Sequence, residues 1–495
     1  MDLATFFHYF FNVDPVHTST GALPPEYWWI DLVRTVVRVL IGVFAILLVV
    51  PPLVWWERRL LGWMQQRQGP NRVGWWGLMQ TIADGLKLLF KEDMNPTNVD
   101  KVLFILAPII FLIPSLVTAA VVPWGPSYTW GAAAPNVSVG VLYMLAWSSL
   151  AVYGVVLAGW SSNNKYSLLG GLRSSAQMIS YELGMGLAII SVVLLSGSLS
   201  LQEIVKQQGF YQITPELTHY GIALPAWNVF KFFPLGAIAA LIYLISMLAE
   251  TNRAPFDLPE AETELVAGYH TEYTSMKFAT FFLGEYANMI VVSAIGSTLF
   301  LGGFHAPIPW LDQLPQGIVN VYTFNAAGGR DIAHWGIPWL TLIVNSLLPV
   351  VWLTVKILAG LYFFIWIRAT LPRLRYDMLM KIGWQGILPI ALVNVLLLAV
   401  GLALGYPTAL AAWAVVFVIS LYFFGKSKPL QLFANNSRRG STIELHSAPK
   451  PYRVVAENPG YGGQTLPPDA KIGGFPVATN EREADAVDDA LTARR

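Results

Sequence analysis

Long runs of apolar residues, separated by polar loops, recur from residue 33 to residue 424. A helix of about 20 apolar residues is long enough to cross a hydrocarbon core of about 30 Å. Proline and glycine within several runs do not contradict this interpretation, because neighbouring helices satisfy the freed backbone groups in membranes. The pattern therefore predicts a bundle of transmembrane helices with spans at 33–56, 102–122, 138–160, 177–197, 233–250, 278–303, 338–366 and 385–404, and a ninth at 408–424.

Composition supports the same architecture. Hydrophobic residues make up 55% of the 495 residues and charged residues 12%, whereas soluble domains carry about 25% charged residues because their surface faces water. The sequence therefore predicts an all-α polytopic membrane protein, ending in a Pro-, Gly- and charge-rich stretch typical of disorder. The predicted organisation is an interfacial segment at 1–32, an eight-helix membrane domain at 33–404 with long loops at 57–101 and 251–277, a ninth helix at 405–424, and a disordered tail at 425–495.

Positive charge is concentrated in alternate loops. Lys and Arg are frequent in one set of loops, whereas the other set contains only Lys206, Lys231 and Arg330. Because Lys and Arg of short loops stay on the cytoplasmic side of a membrane, we predict that the 57–101 loop is cytoplasmic and the N-terminus outside. With nine spans, the C-terminal tail returns to the cytoplasm. Residues 1–33 contain no Lys or Arg, so no cleaved signal peptide is expected.

Cysteine is absent from the chain. Iron–sulfur clusters are held mainly by cysteine thiolates, so any redox centre is expected on another chain. A Gly-rich phosphate loop that follows a strand and opens a helix is also missing. The net charge of +1 gives no indication of a nucleic-acid partner, and none is expected.

The first long loop begins amphipathic, turns at Gly69-Pro70-Asn71, and continues in a helical pattern from Gly77 to Phe90. Asp84, Lys87 and Lys91 lie on one flank of that helix. One interpretation is an interfacial helix whose cations extend toward the lipid headgroups. The other is the mouth of a cavity that admits a lipid-like ligand.

The loop after the fifth span is unusually acidic. Counting Glu272, it places six carboxylates within 23 residues, namely Glu250, Asp257, Glu260, Glu262, Glu264 and Glu272. Pro259 suits the first turn of a helix, and the acids after it suit the positive end of the helix dipole, which explains one or two of them. Crowded carboxylates repel one another and titrate as a coupled set. Proton handling and an exposed acidic loop both remain open on these grounds.

Ionisable residues also lie inside apolar spans. Glu182 and Glu285 interrupt the fourth and sixth spans, and Lys356 interrupts the seventh. Intramembrane carboxylates face protein or water and frequently relay protons, although a structural hydrogen bond between helices is the alternative. Lys356 is a candidate counter-charge, with the same two interpretations.

Four cytoplasmic loops carry distinctive motifs. They are Glu57-Arg58-Arg59 and Gly69-Pro70-Asn71-Arg72-Val73-Gly74 in the first loop, Arg173-Ser174-Ser175-Ala176-Gln177 and Glu182 in the second, Pro255-Phe256-Asp257, Glu260-Ala261-Glu262 and Gly284-Glu285-Tyr286 in the third, and Arg368 with Arg373 and Arg375-Tyr376-Asp377 in the fourth. Taken in order, these loops resemble those of the quinone-site membrane subunit (the H subunit) of NADH–quinone oxidoreductase, respiratory complex I. The similarity covers roughly residues 30 to 404. One departure is Ser275 within Thr274-Ser275-Met276-Lys277, where the family usually has glycine.

The resemblance implies an eight-helix subunit of the bacterial cytoplasmic membrane, at the junction with the peripheral arm of a proton-pumping NADH:quinone oxidoreductase. The implied substrate is a quinone, ubiquinone or menaquinone. The implied partners are the lipid bilayer, peripheral-arm subunits that carry the terminal iron–sulfur cluster, FMN and the NADH site, small membrane-arm subunits and antiporter-like subunits. This chain is expected to bind no cofactor or metal itself.

The resemblance also implies roles for individual residues. The expected proton funnel consists of Glu182, Glu250, Asp257, Glu260, Glu262, Glu264, Glu272 and Glu285. The expected quinone-binding residues are Glu57, Arg58, Arg67, Asp84, Lys87, Arg253 and Phe256. Arg368, Arg373 and Asp377 are expected to pack against the peripheral arm.

Three alternatives are weighed against this expectation. A homologous membrane subunit of a membrane-bound hydrogenase or ferredoxin-fed complex shares the acidic loop, but it does not need the full first loop. A stand-alone ion transporter explains the buried acids but leaves the four elaborate loops unexplained. A passive membrane anchor does not need intramembrane glutamates.

Overall fold

The computed structural model describes residues 28–125, 137–209, 225–257, 267–306, 320–324, 330–334, 338–426, 471–472 and 475–476. The first 27 residues of the predicted interfacial segment and most of the predicted tail lie outside the described residues. Three acids of the predicted funnel, Glu260, Glu262 and Glu264, lie outside them as well.

Helices account for nearly all the regular structure of the described residues. In chain order they are α1 (Trp28–Met64), α2 (Gln80–Phe90), α3 (Lys101–Ala119), α4 (Gly140–Ser161), α5 (Lys165–Ser196), α6 (Leu201–Lys206), α7 (Leu235–Glu250), α8 (Ser275–Phe300), α9 (Pro338–Thr370), α10 (Tyr376–Lys381), α11 (Leu388–Leu404) and α12 (Tyr406–Lys426). A π-helical turn, Ile382–Ile387, joins α10 to α11, and short 3-10 turns occur at Trp75–Gly77 and Gly268–His270.

Within the described residues, seven helical segments are long and apolar enough to cross a membrane. Two shorter apolar helices, α7 and the part of α12 from Tyr406 to Val416, accompany them. The prediction of an all-α polytopic membrane protein is therefore confirmed. Two short antiparallel strand pairs were not predicted: β1 (Asn320–Phe324) with β2 (Arg330–His334), and β3 (Lys471–Ile472) with β4 (Phe475–Pro476).

Several helices extend beyond the apolar runs that predicted them. The helix α5 begins at Lys165, where the predicted span begins at residue 177, because the side chain of Asn164 accepts a hydrogen bond from the backbone N–H of Tyr166 at 3.0 Å. It ends at Gly197, whose φ of +64° is the left-handed conformation of a helix C-cap. Hydropathy marks only the portion of a helix that faces hydrocarbon, whereas capping residues decide where the helix itself begins and ends.

The chain divides into two compact units, Met1–Val415 and Val416–Arg495. In the first unit, the larger core cluster joins residues of α1, α5, α7, α8, α9 and α11. A second, aromatic cluster contains Phe104 and Phe111 of α3 together with Phe281 of α8. In the second unit, the described residues are the last turns of α12 and the strands β3 and β4.

Candidate functional site

Glu57, near the end of α1, is buried to 3% exposure and binds three side chains from distant parts of the chain. Its Oε2 atom accepts a hydrogen bond from the hydroxyl of Tyr286 on α8 at 2.7 Å. Its Oε1 atom pairs with the guanidinium of Arg368 on α9 and lies 3.6 Å from Nη1 of Arg253, just after α7. We call Glu57, Arg253, Tyr286 and Arg368 the Glu57 node.

The Glu57 node offsets the free-energy cost of burying the carboxylate of Glu57. A carboxylate removed from water is costly unless opposite charges and hydrogen bonds replace its hydration. The two arginines and the tyrosine hydroxyl provide that replacement. The guanidinium of Arg253 also lies 4.4 Å from the ring centroid of Tyr286, at cation–π distance. The node therefore joins the first loop to the start of the acidic loop and to α8 and α9.

The start of the acidic loop, residues 251–257, is held on two sides. Nε2 of Gln177 on α5 donates to the backbone oxygens of Ala249 and Phe256, each at 2.8 Å. On the other side, the carboxylate of Asp257 lies 3.4 Å from the guanidinium of Arg373. The backbone N–H of Leu374 donates to the oxygen of Pro255 at 2.9 Å. These contacts hold residues 251–257 in place. Along the chain, this segment precedes Glu260, Glu262 and Glu264.

Glu182 and Glu250 are two carboxylates within otherwise apolar helices. Glu182 on α5 accepts hydrogen bonds from Ser149 and, at 3.4 Å, from Ser148 on α4. Glu250 is buried at the end of α7. Among the described residues, Oε2 of Glu250 has no hydrogen-bond partner.

A cavity of about 20 Å³ lies beside Glu250 and is also lined by Ser148, Tyr243 and Asn288. A cavity of this size has room for about one water molecule.

Two further acids lie at the returning end of the acidic loop and on α8. Glu285 on α8 accepts a hydrogen bond from the hydroxyl of Tyr269 at 3.3 Å. Glu272 accepts one from Nδ2 of Asn164 at 2.6 Å, beside an open polar pocket of about 350 Å³. Burial raises the pKa of the neighbouring Tyr273 to about 12, so its hydroxyl is neutral at physiological pH. These contacts attach the returning loop to α5 and α8.

The first loop presents an apolar surface beside a charged pair. Arg58 at the end of α1 pairs with Asp84 on α2, which also accepts from Nε2 of Gln80 at 3.0 Å. The exposed apolar side chains of α2 include Ile82, Leu86, Leu89 and Phe90. Arg67 bonds to Gln65 within its own turn, and Lys87 is exposed on α2. The loop therefore combines an oriented ion pair with a surface that suits lipid.

Comparison with known proteins identifies the family to which this architecture belongs. The model of the NADH dehydrogenase family matches residues 37–399. The chain belongs to the NADH dehydrogenase family. The match ends before α12, so the last helix and the residues after it lie outside the part of the chain that the family model covers.

Bacterial relatives of this chain agree with this assignment. The chain is 44% identical over 390 residues to NADH-quinone oxidoreductase H subunit 2 of Koribacter versatilis, and the match covers 75% of this chain and 98% of that protein. It is 47% identical over 370 residues to the NADH-quinone oxidoreductase H subunit of Rickettsia rickettsii, with 74% and 93% covered. It is 49% identical over 356 residues to the protein of that name in Rickettsia peacockii, with 72% and 89% covered.

The structure distributes the predicted site residues over three groups of contacts. Glu57 and Arg253 meet in the Glu57 node, and Arg58 meets Asp84 at the first loop. Phe256 is buried against the ring of Tyr181, with 5.2 Å between the ring centroids.

The residues expected at the peripheral arm occupy two environments. Arg368 and Arg373 bind Glu57 and Asp257, which belong to the groups predicted for quinone and protons. Asp377 is exposed and lies 3.5 Å from Arg375. No group of three or more His, Asp or Glu side chains within the described parts of the chain is arranged to hold a metal ion.

Sequence reasoning missed several polar residues that complete these groups. Ser148 and Ser149 look like ordinary residues of an apolar span, and only the fold places them on Glu182. Tyr286 directly follows Glu285 in a matching motif, but its contact with Glu57 joins positions 229 residues apart. A local pattern carries no signal of such a pairing.

Ser275, which stands where the family usually has glycine, has an unusual backbone conformation and specific contacts. Ser275 has a φ of +55°, a conformation that favours glycine. Its hydroxyl lies 2.9 Å and 3.0 Å from the backbone oxygens of Leu88 and Lys91, at the end of α2. Lys277 also pairs with Asp93 at 2.9 Å. We call residues 274–277 the α8 latch, because they attach the start of α8 to the end of α2.

Proposed function

We propose that the chain, as the membrane-embedded H subunit of a proton-pumping NADH:quinone oxidoreductase, forms the quinone chamber and a carboxylate path leading from it. The observation that carries this proposal is the Glu57 node, since it joins the first loop to the start of the acidic loop in one buried ion-pair network. The names and high identity of the relatives support the parent complex.

In this proposal the first loop admits the quinone. The exposed apolar side chains of α2 suit the tail of a quinone in the bilayer, and the pair of Arg58 and Asp84 suits the polar head. Reduction takes up electrons and protons at the head group. The electrons come from an iron–sulfur cluster on a peripheral-arm subunit, where FMN and NADH also bind, since this chain contains no cysteine.

The carboxylates respond to that reaction by changing their protonation. When negative charge appears on the quinone, nearby carboxylic acids bind protons more tightly, and coupled acids redistribute them. Asp257 and Glu250 flank Arg253 of the node along the chain, Glu250 lines the small cavity, and Glu182 lies on the neighbouring helix α5. Glu260, Glu262, Glu264, Glu272 and Glu285 complete the path toward the small and antiporter-like membrane subunits.

The proposed location is the bacterial cytoplasmic membrane. The N-terminus lies outside, and the long loops face the peripheral arm in the cytoplasm. Arg375 and Asp377, both exposed, belong to the surface that meets that arm.

The test uses the intact complex carrying this subunit, reconstituted in liposomes. We expect Glu250→Gln and the double variant Glu262→Gln/Glu264→Gln to lower both quinone-dependent NADH oxidation and proton uptake. NADH oxidation by a water-soluble acceptor at the peripheral arm should stay unchanged, which reports that assembly is intact.

Glu203→Gln is the matched control, because Glu203 is partly exposed and forms a surface ion pair with Lys206. We expect it to behave as the unsubstituted complex does. Normal coupled activity in both Glu250→Gln and the double variant would reject the carboxylate path.

A further inference from the structure

The end of α8 that lies away from the acidic loop is bound by polar side chains from several elements. Nε2 of Gln208 donates to the backbone oxygen of Thr298 at 2.8 Å, and Nδ2 of Asn228 donates to that of Leu299 at 2.7 Å. The last carbonyls of a helix have no partner within the helix. Here side-chain amides donate hydrogen bonds to them.

Lys356, within the membrane-spanning helix α9, completes this arrangement. Its buried ammonium donates to the backbone oxygens of Leu301, Gly303 and His305 at 2.6, 2.8 and 2.6 Å. It also lies 4.7 Å from the ring centroid of Trp227, at cation–π distance. Three oxygens and an aromatic face thus surround a cation inside the membrane domain. We call Gln208, Asn228 and Lys356 the α8 cap.

The positive charge of Lys356 is not needed to satisfy these carbonyls, so its location calls for another explanation. A positive charge at a helix C-terminus complements the helix dipole, but an amide donor would satisfy carbonyls at a lower desolvation cost. Glu285 and Phe300 both lie on α8, 15 residues apart, so the proposed carboxylate path and the α8 cap are separated by roughly 22 Å along one helix at about 1.5 Å per residue. A fixed positive charge raises the electrostatic barrier to protons and other cations that approach it.

We propose that the α8 cap, with Lys356 as its charge, is an electrostatic barrier that stops protons on the carboxylates from crossing the membrane through this chain. This inference rests on the proposed function, since the barrier matters only if those carboxylates carry protons. The barrier has two components. The charge repels protons, and the satisfied carbonyls recruit no chain of water molecules into the end of the bundle.

The test measures passive proton leak in the absence of NADH and quinone. Liposomes containing the intact complex and an internal pH dye receive an external pH step, with valinomycin and potassium holding the membrane potential at zero. Lys356→Arg keeps the charge and the donors, Lys356→Gln keeps donors without charge, and Lys356→Met has neither. Thr354→Ala is the matched control, because Thr354 lies on the exposed side of the same helix.

We expect the pH gradient to decay severalfold faster in Lys356→Gln and Lys356→Met, and at the unsubstituted rate in Lys356→Arg and Thr354→Ala. A purely structural role of Lys356 predicts no added leak in any assembled variant. If Lys356→Met does not assemble, the comparison of Lys356→Gln with Lys356→Arg decides the question. Equal decay in those two variants would overturn the proposal.

The same vesicles separate this inference from the proposed function. A leak in Lys356→Gln that disappears when Glu250→Gln is added supports both. A leak that persists in Lys356→Gln/Glu250→Gln would overturn the barrier as proposed, because the leaking protons would not come from these carboxylates, whereas impaired pumping by Glu250→Gln alone would still support the proposed function.

Discussion

A buried side chain that carries a charge is stable only with partners, so the neighbours of Glu57 decide what it can do. The hydroxyl of Tyr286 and the guanidinium of Arg368 are those neighbours, and they come from α8 and α9. The sequence marked Glu57 as part of a matching motif and as an expected quinone-binding residue. It could not identify the partners, because their pairing depends on how distant helices pack.

Tyr286→Phe tests the hydrogen bond within the Glu57 node. The change leaves the packing in place but removes the donor to Oε2 of Glu57, and an unsatisfied buried acceptor costs about 1–3 kcal/mol. We expect a higher KM for quinone and a lower temperature of thermal inactivation of quinone reductase activity. Tyr153→Phe is the control, since Tyr153 is 61% exposed on α4. Identical KM and inactivation temperature in the two variants would contradict the role of the node.

Two arginines separated by one residue provide a matched comparison of buried and exposed ion pairs. Arg373 pairs with Asp257, whose side chain is 3% exposed, whereas Arg375 pairs with the exposed Asp377. We expect Arg373→Ala to lower quinone-dependent turnover, because it weakens the hold on a buried carboxylate and costs about 1–3 kcal/mol. Arg375→Ala should cost the subunit itself no more than about 1 kcal/mol.

The measurement is turnover together with the fraction of peripheral arm retained after purification in high salt. Normal turnover in Arg373→Ala would reject its role as a support for Asp257. Full retention of the arm in Arg375→Ala would remove Arg375 from the surface that meets the arm.

At the scale of elements, apolar runs predicted the positions of the membrane helices, because the hydrophobic effect acts locally on each segment. They did not predict that α5 begins at Lys165, which the side chain of Asn164 decides, nor the strands β1 and β2. They also predicted the amphipathic α2 but not the element that holds it. The α8 latch supplies that contact through Ser275 and Lys277.

Ser275 tests the α8 latch, because its two properties act in opposite directions. Glycine at this position relieves a strain of about 1 kcal/mol at positive φ but removes the hydroxyl that reaches Leu88 and Lys91. Alanine removes the hydroxyl and keeps the strain. We therefore expect Ser275→Ala to raise the KM for quinone and to lower thermal stability more than Ser275→Gly does.

Thr280→Ala is the control for this comparison, since Thr280 lies one turn further along α8 and its hydroxyl bonds to the oxygen of Met276. An unchanged KM in Ser275→Ala would show that the latch does not position α2 for the quinone.

At the scale of the whole molecule, the distribution of Lys and Arg predicts which side of the membrane each loop faces. We expect protease to remove the tail after Lys426 in inverted membrane vesicles, while spheroplasts with intact membranes protect it. An epitope at the C-terminus, followed by immunoblotting, measures both. Cleavage in spheroplasts would place the tail outside and remove the nine-span arrangement.

Fold class and family could be predicted from the sequence because they depend on composition and on motifs within single loops. The node, the latch and the cap could not, because each joins elements that are distant along the chain. Lys356 is the clearest example. It was a candidate counter-charge for the intramembrane acids, and the structure places its ammonium on the backbone oxygens of Leu301, Gly303 and His305.

The Glu57 node has a consequence for how this chain can vary. The charge of Glu57 compensates those of two arginines, so a substitution that neutralises Glu57 leaves the guanidiniums of Arg253 and Arg368 without that compensation. Effects of substitution at contacting charged positions are not additive. Glu57→Gln should therefore be partly rescued by Arg368→Gln, although each change alone is harmful. We therefore expect substitutions within the Glu57 node to be tolerated in combination and not one at a time.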